Sequence, residues 1–521
     1  MLLKDTVLGI EFGSTRIKAQ LLDRGHLPVA SGSHEWENRL VNGVWTYTME
    51  DIRLGLQACF ADLKKDVREK FGLELTTVGA IGVSAMMHGY LPLDAEGTPL
   101  TEFRTWRNTM TEKSAETLSA LFRFNIPQRW SIAHLYQAVL NGEAHLPRLA
   151  HLSTLAGFIH WRLTGNHVMG LGEASGVFPL DYETLDYDAA MLDAFDGLIA
   201  EKNYPWKIRD VLPKPLPAVE NAGYLTEAGA LLLDPTGTLR PGVPVAPCEG
   251  DAETGMAATN AVRERTGNVS AGTSDFAMVV LEKPVGVHME IGVVATPAGK
   301  PVAMVHCSNC SSDLNAWVNL FAEFADSFGM EIDRGTLYTK LFRKALEGEP
   351  DCGGLLSYNY YSGEAILGLN EGRPVFTRRP DSRFTLANLM RMHLQSALAT
   401  LKYGMDILRA ERVAIDRICG HGGFFKTPEV GQRILSAAIG APVSVMETAG
   451  EGGPYGMALL CAYLLWRSPG ESLEDYLDEK VFREAKAVTV MADAEEIAGF
   501  DRFAARFRAA FPVEKAAVET V

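Results

Sequence analysis

Two short stretches, about half a chain apart, put glycine and hydroxyl residues at the tip of an apolar run. Residues 8–19 read LGIEFGSTRIKA: an apolar lead reaches Glu11, then Gly13-Ser14-Thr15, and an alternating apolar run leaves. Residues 266–282 read TGNVSAGTSDFAMVVLE, with Gly272-Thr273-Ser274 in the matching place. Successive backbone N–H groups that point into a turn form a nest for anions; glycine permits the geometry and Ser or Thr adds donors. One such turn reads first as an ordinary hairpin. Two of them, similarly framed, could converge on a chain of phosphates.

A third candidate is Asp251 in APCEGDAETGMAA (246–258), a carboxylate at a strand end followed by small residues. There it could accept a proton from a substrate hydroxyl. It could equally cap a helix over 252–262 by accepting orphan amides, and the two roles are compatible.

Other chemistries are excluded by pattern. The chain has no G-x-x-x-x-G-K-[ST], no G-x-S-x-G and no H-E-x-x-H, which removes a P-loop, a nucleophile elbow and a zincin. Gly420-x-Gly422 and Gly450-x-Gly452 meet Phe425 and Tyr455 where a dinucleotide fingerprint needs its third glycine. Of seven cysteines only Cys307-x-x-Cys310 is a close pair. With no second pair at zinc spacing, ordinary buried thiols in a reducing compartment are the expectation.

The elements that would position these groups alternate strands with helices. A buried strand is predicted over 78–86, helices over 113–124 and 151–163, and a strand over 242–248 leading into Glu249-Gly250-Asp251. Residues 420–445 read as a glycine turn, a helix and a strand, and 447–463 as a second glycine-rich lead into a helix. In the latter, the Gly456 and Ala458 spacing is expected to serve helix packing. The repeated hairpin predicts two similar α/β domains with a boundary near 256–265, set here as 1–258 and 259–521. At 521 residues the chain is too long for one core, since single cores stop growing at roughly 250–300 residues.

Composition is that of a globular protein, with 47% apolar and 22% charged residues. The net charge of −16 argues against nucleic acid or an anionic membrane as partner, both of which need a basic footprint. The start of the chain does not read as a signal peptide, and the longest apolar run, GMALLCAYLLW (456–466), falls short of the roughly 20 residues of a membrane span. A cytoplasmic location is therefore expected. A homodimer is left open.

Taken in order, the motifs resemble the FGGY family of carbohydrate kinases, within the actin, Hsp70 and sugar-kinase fold group. The opening stretch resembles G-I-D-x-G-[ST]-x-x-x-K, with Lys18 in place, and IGVSAMMHGYLPLD (81–94) resembles I-x-x-S-x-Q-M-H-G-x-x-x-L-D. WRLTGN with GEASGVFPLDYETLDYD (161–188) resembles Y-L-T-G followed by D-A-S-x-T-x-L-x-D. Residues 246–258 resemble the segment of the catalytic aspartate, VSAGTSDF (269–276) the second phosphate motif, and 420–443 the adenosine motif.

The resemblance implies two ribonuclease H-like domains with a cleft between them, and transfer of the γ-phosphate of ATP to a small sugar or polyol, with a ketopentose such as xylulose or ribulose expected. It implies Asp251 as general base, and Gly13, Ser14, Thr15, Lys18, Gly272 and Thr273 around the phosphates. Gly422, Gly423 and Phe424 would lie near the adenosine, Met87, His88 and Trp106 on the sugar side, and Mg²⁺ near Glu11.

The departures fall mostly on the sugar side. Met86 stands where xylulose kinases have glutamine, Ala252 where an asparagine follows the base, and Trp106-Arg107-Asn108-Thr109-Met110 where W-x-D-x-R is usual. A site built to bond a hydroxyl rejects analogues strongly, so these losses imply a substrate other than D-xylulose. Glu11 replaces the usual aspartate of the first motif. The rival expectation is a sugar- or nucleotide-binding regulator with little turnover. A chaperone-like ATPase lacks support, because the chain ends in an amphipathic helix with no appended peptide-binding domain.

Overall fold

The computed structural model describes residues 2–450 and 452–521. The chain folds into two compact units. The first comprises residues 1–262, 292–302 and 451–484, and the second 263–291, 303–450 and 485–521. The chain first passes between them at Val262–Arg263, and returns to the first unit at 292–302 and 451–484.

In the first unit, β1 (Val7–Phe12), β2 (Arg16–Leu22), β3 (Pro28–Glu35), β4 (Ala80–Ala85) and the two-residue β5 (Glu249–Gly250) form one sheet in the order β5-β4-β1-β2-β3. β1 pairs antiparallel with β2 and parallel with β4. Both β1 and β4 are buried along their whole length, which is why they read as unbroken apolar runs. Helix α1 (Met49–Phe71) packs on β3. It is capped by Thr48, which accepts from the Asp51 N–H, and closed by Gly72 in the left-handed region. The short α2 (Leu171–Ser175) and α3 (Asp251–Ala258) complete the surroundings of β5.

Two sequence expectations are corrected here. The strand expected over 242–248 is reduced to isolated bridges at Pro244 and Val245, and regular pairing begins only at Glu249. Pro244 and Pro247 carry no N–H for a ladder, so this apolar run cannot pair as a central strand. Likewise 151–163 divides into a strand, His151–Ser153, and a helix, Leu155–Thr164, at the capping residue Thr154.

The second unit repeats the arrangement. β6 (Thr266–Ala271), β7 (Asp275–Val280), β8 (Pro301–Cys307), β9 (Arg417–His421) and β10 (Val443–Met446) run β8-β7-β6-β9-β10, the order of β3-β2-β1-β4-β5. β6 is antiparallel to β7 and parallel to β9, as β1 is to β2 and β4. A further strand, β11 (Ala487–Val490), extends this sheet beyond β10. Helix α4 (Val430–Ile439) links β9 to β10 and packs against β10.

The chain then returns to the first unit as α5 (Gly453–Trp466). This helix lies directly on β1 and α3. A Cβ at Gly9 would come within 2.1 Å of the Pro454 carbonyl, and one at Gly456 within 1.9 Å of the Thr254 carbonyl. Glycine at these two positions is what lets the three backbones touch, as the sequence predicted for Gly456.

Candidate active site

The β1–β2 hairpin brings Gly13, Ser14 and Thr15 to its tip, closed by Gly13 N–H to the Arg16 carbonyl at 3.1 Å. The carbonyls of all three turn residues are engaged. Trp36 Nε1 donates to Gly13 O (2.7 Å), Tyr47 Oη to Ser14 O (2.6 Å), and the Trp36 backbone N–H to Thr15 O (3.2 Å). The two aromatic rings stack with centroids 3.9 Å apart. In a trans peptide the N–H points away from its carbonyl, so anchoring the carbonyls orients the turn's amides. Sequence reasoning missed Trp36 and Tyr47, because nothing in their spacing marks them. Trp106, expected on the sugar side, reaches this turn, with Nε1 3.4 Å from Ser14 Oγ.

Glu11 precedes the turn and is buried. Its Oε2 faces Lys18 Nζ at 3.4 Å, its register partner on β2. Burial raises the Glu11 pKa and Lys18 pulls it back. The carboxylate also rests against the first turn of α5, where a Cβ on Gly453 would stand 2.0 Å from Oε1. That is the favourable end of a helix dipole for an anion.

Asp251 is the first residue of α3, and Gly250, not Asp251, occupies the N-cap position. The capping role is thereby set aside. Its Oδ1 accepts instead from the backbone N–H of Met87 at 3.1 Å. Burial, with the Glu11 charge second, pushes the Asp251 carboxyl up to about 7, in the range that suits a general base at neutral pH. The loop that supplies this N–H is conformationally fixed. His88 has φ 70° and Gly89 φ 103°, and a Cβ at Gly89 would meet the Arg104 carbonyl at 2.9 Å. Met87 and His88 are buried, and the His88 ring stacks on Trp130. Thus Glu11, Ser14, Lys18, Met87, His88, Trp106 and Asp251 all belong to the first unit.

The second unit holds the other group. The Gly272–Thr273 turn is closed by Gly272 N–H to Ser274 O at 2.9 Å. Its carbonyls are captured as in the first hairpin. Cys310 N–H donates to Thr273 O (2.9 Å), while the Ser311 N–H and hydroxyl both donate to Gly272 O (3.1 and 2.5 Å). Cys307 and Cys310 are free and buried, as are the other five cysteines. Gly422 has φ 98° and lies against the end of β6, where a Cβ would be 2.4 Å from Ala271 O. Gly423 faces open space, whereas Phe424 is 1% exposed and packs on Phe342 and Phe425.

Among the described residues no cluster of three or more His, Cys, Asp or Glu is arranged to hold a metal. Mg²⁺ does not require one. It is commonly held by one or two carboxylates and the substrate's phosphates and keeps several waters. Glu11, an oxygen donor beside a phosphate-type turn, fits that mode.

Two family models match the chain: the FGGY family of carbohydrate kinases, N-terminal domain, over residues 6–258, and its C-terminal domain over 267–465. A xylulose kinase of Haemophilus influenzae is 23% identical over 476 residues, covering 85% of this chain and 91% of the relative. The crystal structure of xylulose kinase from Rhodospirillum rubrum superposes with TM-score 0.78 at 18% identity, covering 98% of both chains. That of gluconate kinase from Lactobacillus acidophilus gives TM-score 0.79 at 16% identity, again over 98% of both. The fold is therefore of the sugar-kinase type in the actin/Hsp70, ribonuclease H-like group. The chain belongs to the FGGY family of carbohydrate kinases, a family of phosphotransferase enzymes that use ATP. Among the described residues, no helix is long and apolar enough to cross a membrane.

Proposed function

We propose that this kinase transfers the γ-phosphate of ATP to a hydroxyl of a small sugar or polyol, with a ketopentose the first candidate. The observation that carries the reading is Asp251, held at the β5–α3 corner by the Met87 N–H with its carboxyl raised to about 7. In this reading Asp251 accepts the proton of the sugar hydroxyl as its oxygen attacks phosphorus in line. Met87, His88 and Trp106 bound the sugar. The Gly13–Thr15 turn with Lys18 and the Gly272–Thr273 turn bind phosphate oxygens through oriented amides and hydroxyls, and Gly422, Gly423 and Phe424 border the adenosine. Bound Mg²⁺ would spread the phosphate charge, with Glu11 as its protein ligand. Most of the rate then comes from positioning and electrostatics.

The ketopentose is supported by likeness to proteins named xylulose kinase. Met86, Ala252 and Asn108 differ from the xylulose-kinase pattern and argue for a relative of xylulose over xylulose itself. The test is ADP release with MgATP over a panel of ketoses, aldoses, polyols and sugar acids, repeated with Asp251→Asn. Sugar-dependent turnover that the variant loses supports the reading. Sugar binding without turnover favours a regulator, and sugar-independent hydrolysis that survives the substitution defeats the mechanism.

A further inference from the structure

Three glutamates meet behind the Asp251 corner; Glu173 stands at the acid of the D-A-S-like segment, Glu249 and Glu253 flank the base within 246–258, and the proposed chemistry gives none of them a role. Glu249 lies on β5 two residues before Asp251, Glu253 lies on α3 two residues after it, and Glu173 comes from α2. Their exposures are 1%, 0% and 0%. Three glycines give way to them. A Cβ at Gly170 would fall 2.3 Å from Glu249 Oε1, and one at Gly172 2.5 Å from Glu249 Oε2. At Gly250 a Cβ would fall 2.4 Å from Glu253 Oε2 and 2.8 Å from Glu173 Oε2, so both oxygens crowd one point behind the corner. Glu249 Oε2 accepts the Glu173 N–H at 2.9 Å, tying β5 to α2. Among the described residues both oxygens of Glu253 and Oε1 of Glu249 have no hydrogen-bond partner, and the Glu173 carboxyl has only the Thr154 side chain close enough to hydrogen-bond to it.

The titratable groups around the three are one another, Asp251, the Cys248 thiol and the Tyr187 hydroxyl. Thr154, the N-cap of the preceding helix Leu155–Thr164, acts on Glu173 through its side chain, and His88 lies against Gly176 at the end of α2. The charged groups named as acting on the three are other carboxyls. Burial pushes all three carboxyls up, Glu249 to about 8. As carboxylates they would repel; as acids each gains an O–H donor and can share protons with its neighbours. Buried, unpaired acid groups are costly, and such a cost is commonly retained at functional sites.

Building on the kinase reading above, we propose that Glu173, Glu249 and Glu253 form a proton-sharing carboxyl stack behind Gly250 that holds the β5–α3 corner and so aims Asp251. The three are positioning residues for the base.

The test uses the full chain and four variants: Glu253→Gln, Glu253→Leu, Glu249→Gln and Gly250→Ala. Glu253→Leu removes the shared proton at similar volume and is expected to cost about 10- to 100-fold in kcat, the range of a misaimed reactive group, with little change in sugar KM or Tm. Gly250→Ala, which drives a methyl into both oxygens, is expected to do the same. The two Gln variants keep donor and acceptor and should retain most of kcat. They should also lose an alkaline fall in kcat that deprotonation of the stack causes in the wild type. The infrared spectrum of the wild type should show a protonated-carboxyl C=O band at neutral pH that weakens in Glu253→Gln and in Glu249→Gln. Wild-type kcat in both Glu253→Leu and Gly250→Ala, or no such band in the wild type, overturns the proposal. A wild type that turns over no sugar defeats the kinase reading instead, and the infrared band still decides the stack.

Discussion

Met87 donates its backbone N–H to Oδ1 of Asp251 across 3.1 Å, so the loop after β4 and the corner after β5 are joined at the carboxylate itself. Parallel pairing of β5 with β4 sets this up, because Gly250 stands in register with Ala85, two residues before Met87. If Asp251 is the base, Asp251→Asn should lower kcat by at least ~10²-fold, the lower end of what general-base catalysis contributes, with CD and Tm near wild type. The base must be ionised to act, so kcat/KM in the wild type should rise with pH through an acid limb near 7. A flat profile across that range would show another group taking the proton.

Glu11 raises the Asp251 pKa as a like charge, after burial. Glu11→Gln removes that charge and should move the acid limb of kcat/KM downward. The same variant should weaken Mg²⁺ binding, read as a higher Mg²⁺ concentration for half-maximal rate and as weaker Mn²⁺ binding in electron paramagnetic resonance. An acid limb that stays in place would show the two carboxylates to be electrically independent.

Gly453→Ala places a methyl 2.0 Å from Glu11 Oε1. Since the methyl sits on a helix and cannot move, the carboxylate must. The expected outcome is a several-fold rise in the Mg²⁺ requirement with the sugar KM unchanged, and Glu11→Asp in the same chain should relieve it by withdrawing one methylene. Equal Mg²⁺ titrations for the single variant and the wild type would count against the contact.

If the Gly13–Thr15 turn binds phosphate as proposed, its anchors should matter to nucleotide alone. Tyr47→Phe deletes the hydrogen bond to Ser14 O, a loss of about 1 kcal/mol, or roughly 5-fold in the KM for ATP. Ser311→Ala is the counterpart at the second turn, where the hydroxyl holds Gly272 O. A rise in sugar KM instead would reassign the turns.

Stability should depend on pH with a definite sign. The folded-state pKa of Glu249 is raised from 4.5 to about 8, and those of Glu173 and Glu253 are raised too, so the folded chain holds protons that the unfolded chain has released. The Glu249 contribution is fully present below about pH 4.5 and falls as pH rises to about 8, at up to about 1.4 kcal/mol per pH unit, and Glu173 and Glu253 act in the same direction. Urea unfolding at pH 5.5 and 8 should show the wild type losing more stability over this interval than Glu249→Gln does. Equal slopes would mean these carboxyls are ionised in the native state.

The two hairpins were legible in the sequence because a turn that alone reads as an ordinary hairpin recurs half a chain later in the same frame, and that recurrence pointed to two similar α/β domains. Asp251 was legible as a carboxylate at a strand end, although prolines made the strand before it far shorter than its apolar residues suggest. The aromatic anchors Trp36 and Tyr47 were not, since a ring that holds a carbonyl looks in sequence like any ring that fills a core. Glu173, Glu249 and Glu253 escaped for a different reason. Glutamate is ordinarily a surface residue, and only the fold shows that three glycines open room for these side chains inside.

Helix α5 gives the first unit a particular order of completion. β1 is made before α3, yet the backbone that lies against both, from Gly453 to Trp466, is made only after most of the second unit. At roughly 5–20 residues per second, the apolar face of β1 waits tens of seconds for its cover. A fragment ending at Val262 would leave Gly9 and Thr254 without the helix they contact, so the unit with the proposed base is one that a simple cut between the halves cannot release intact.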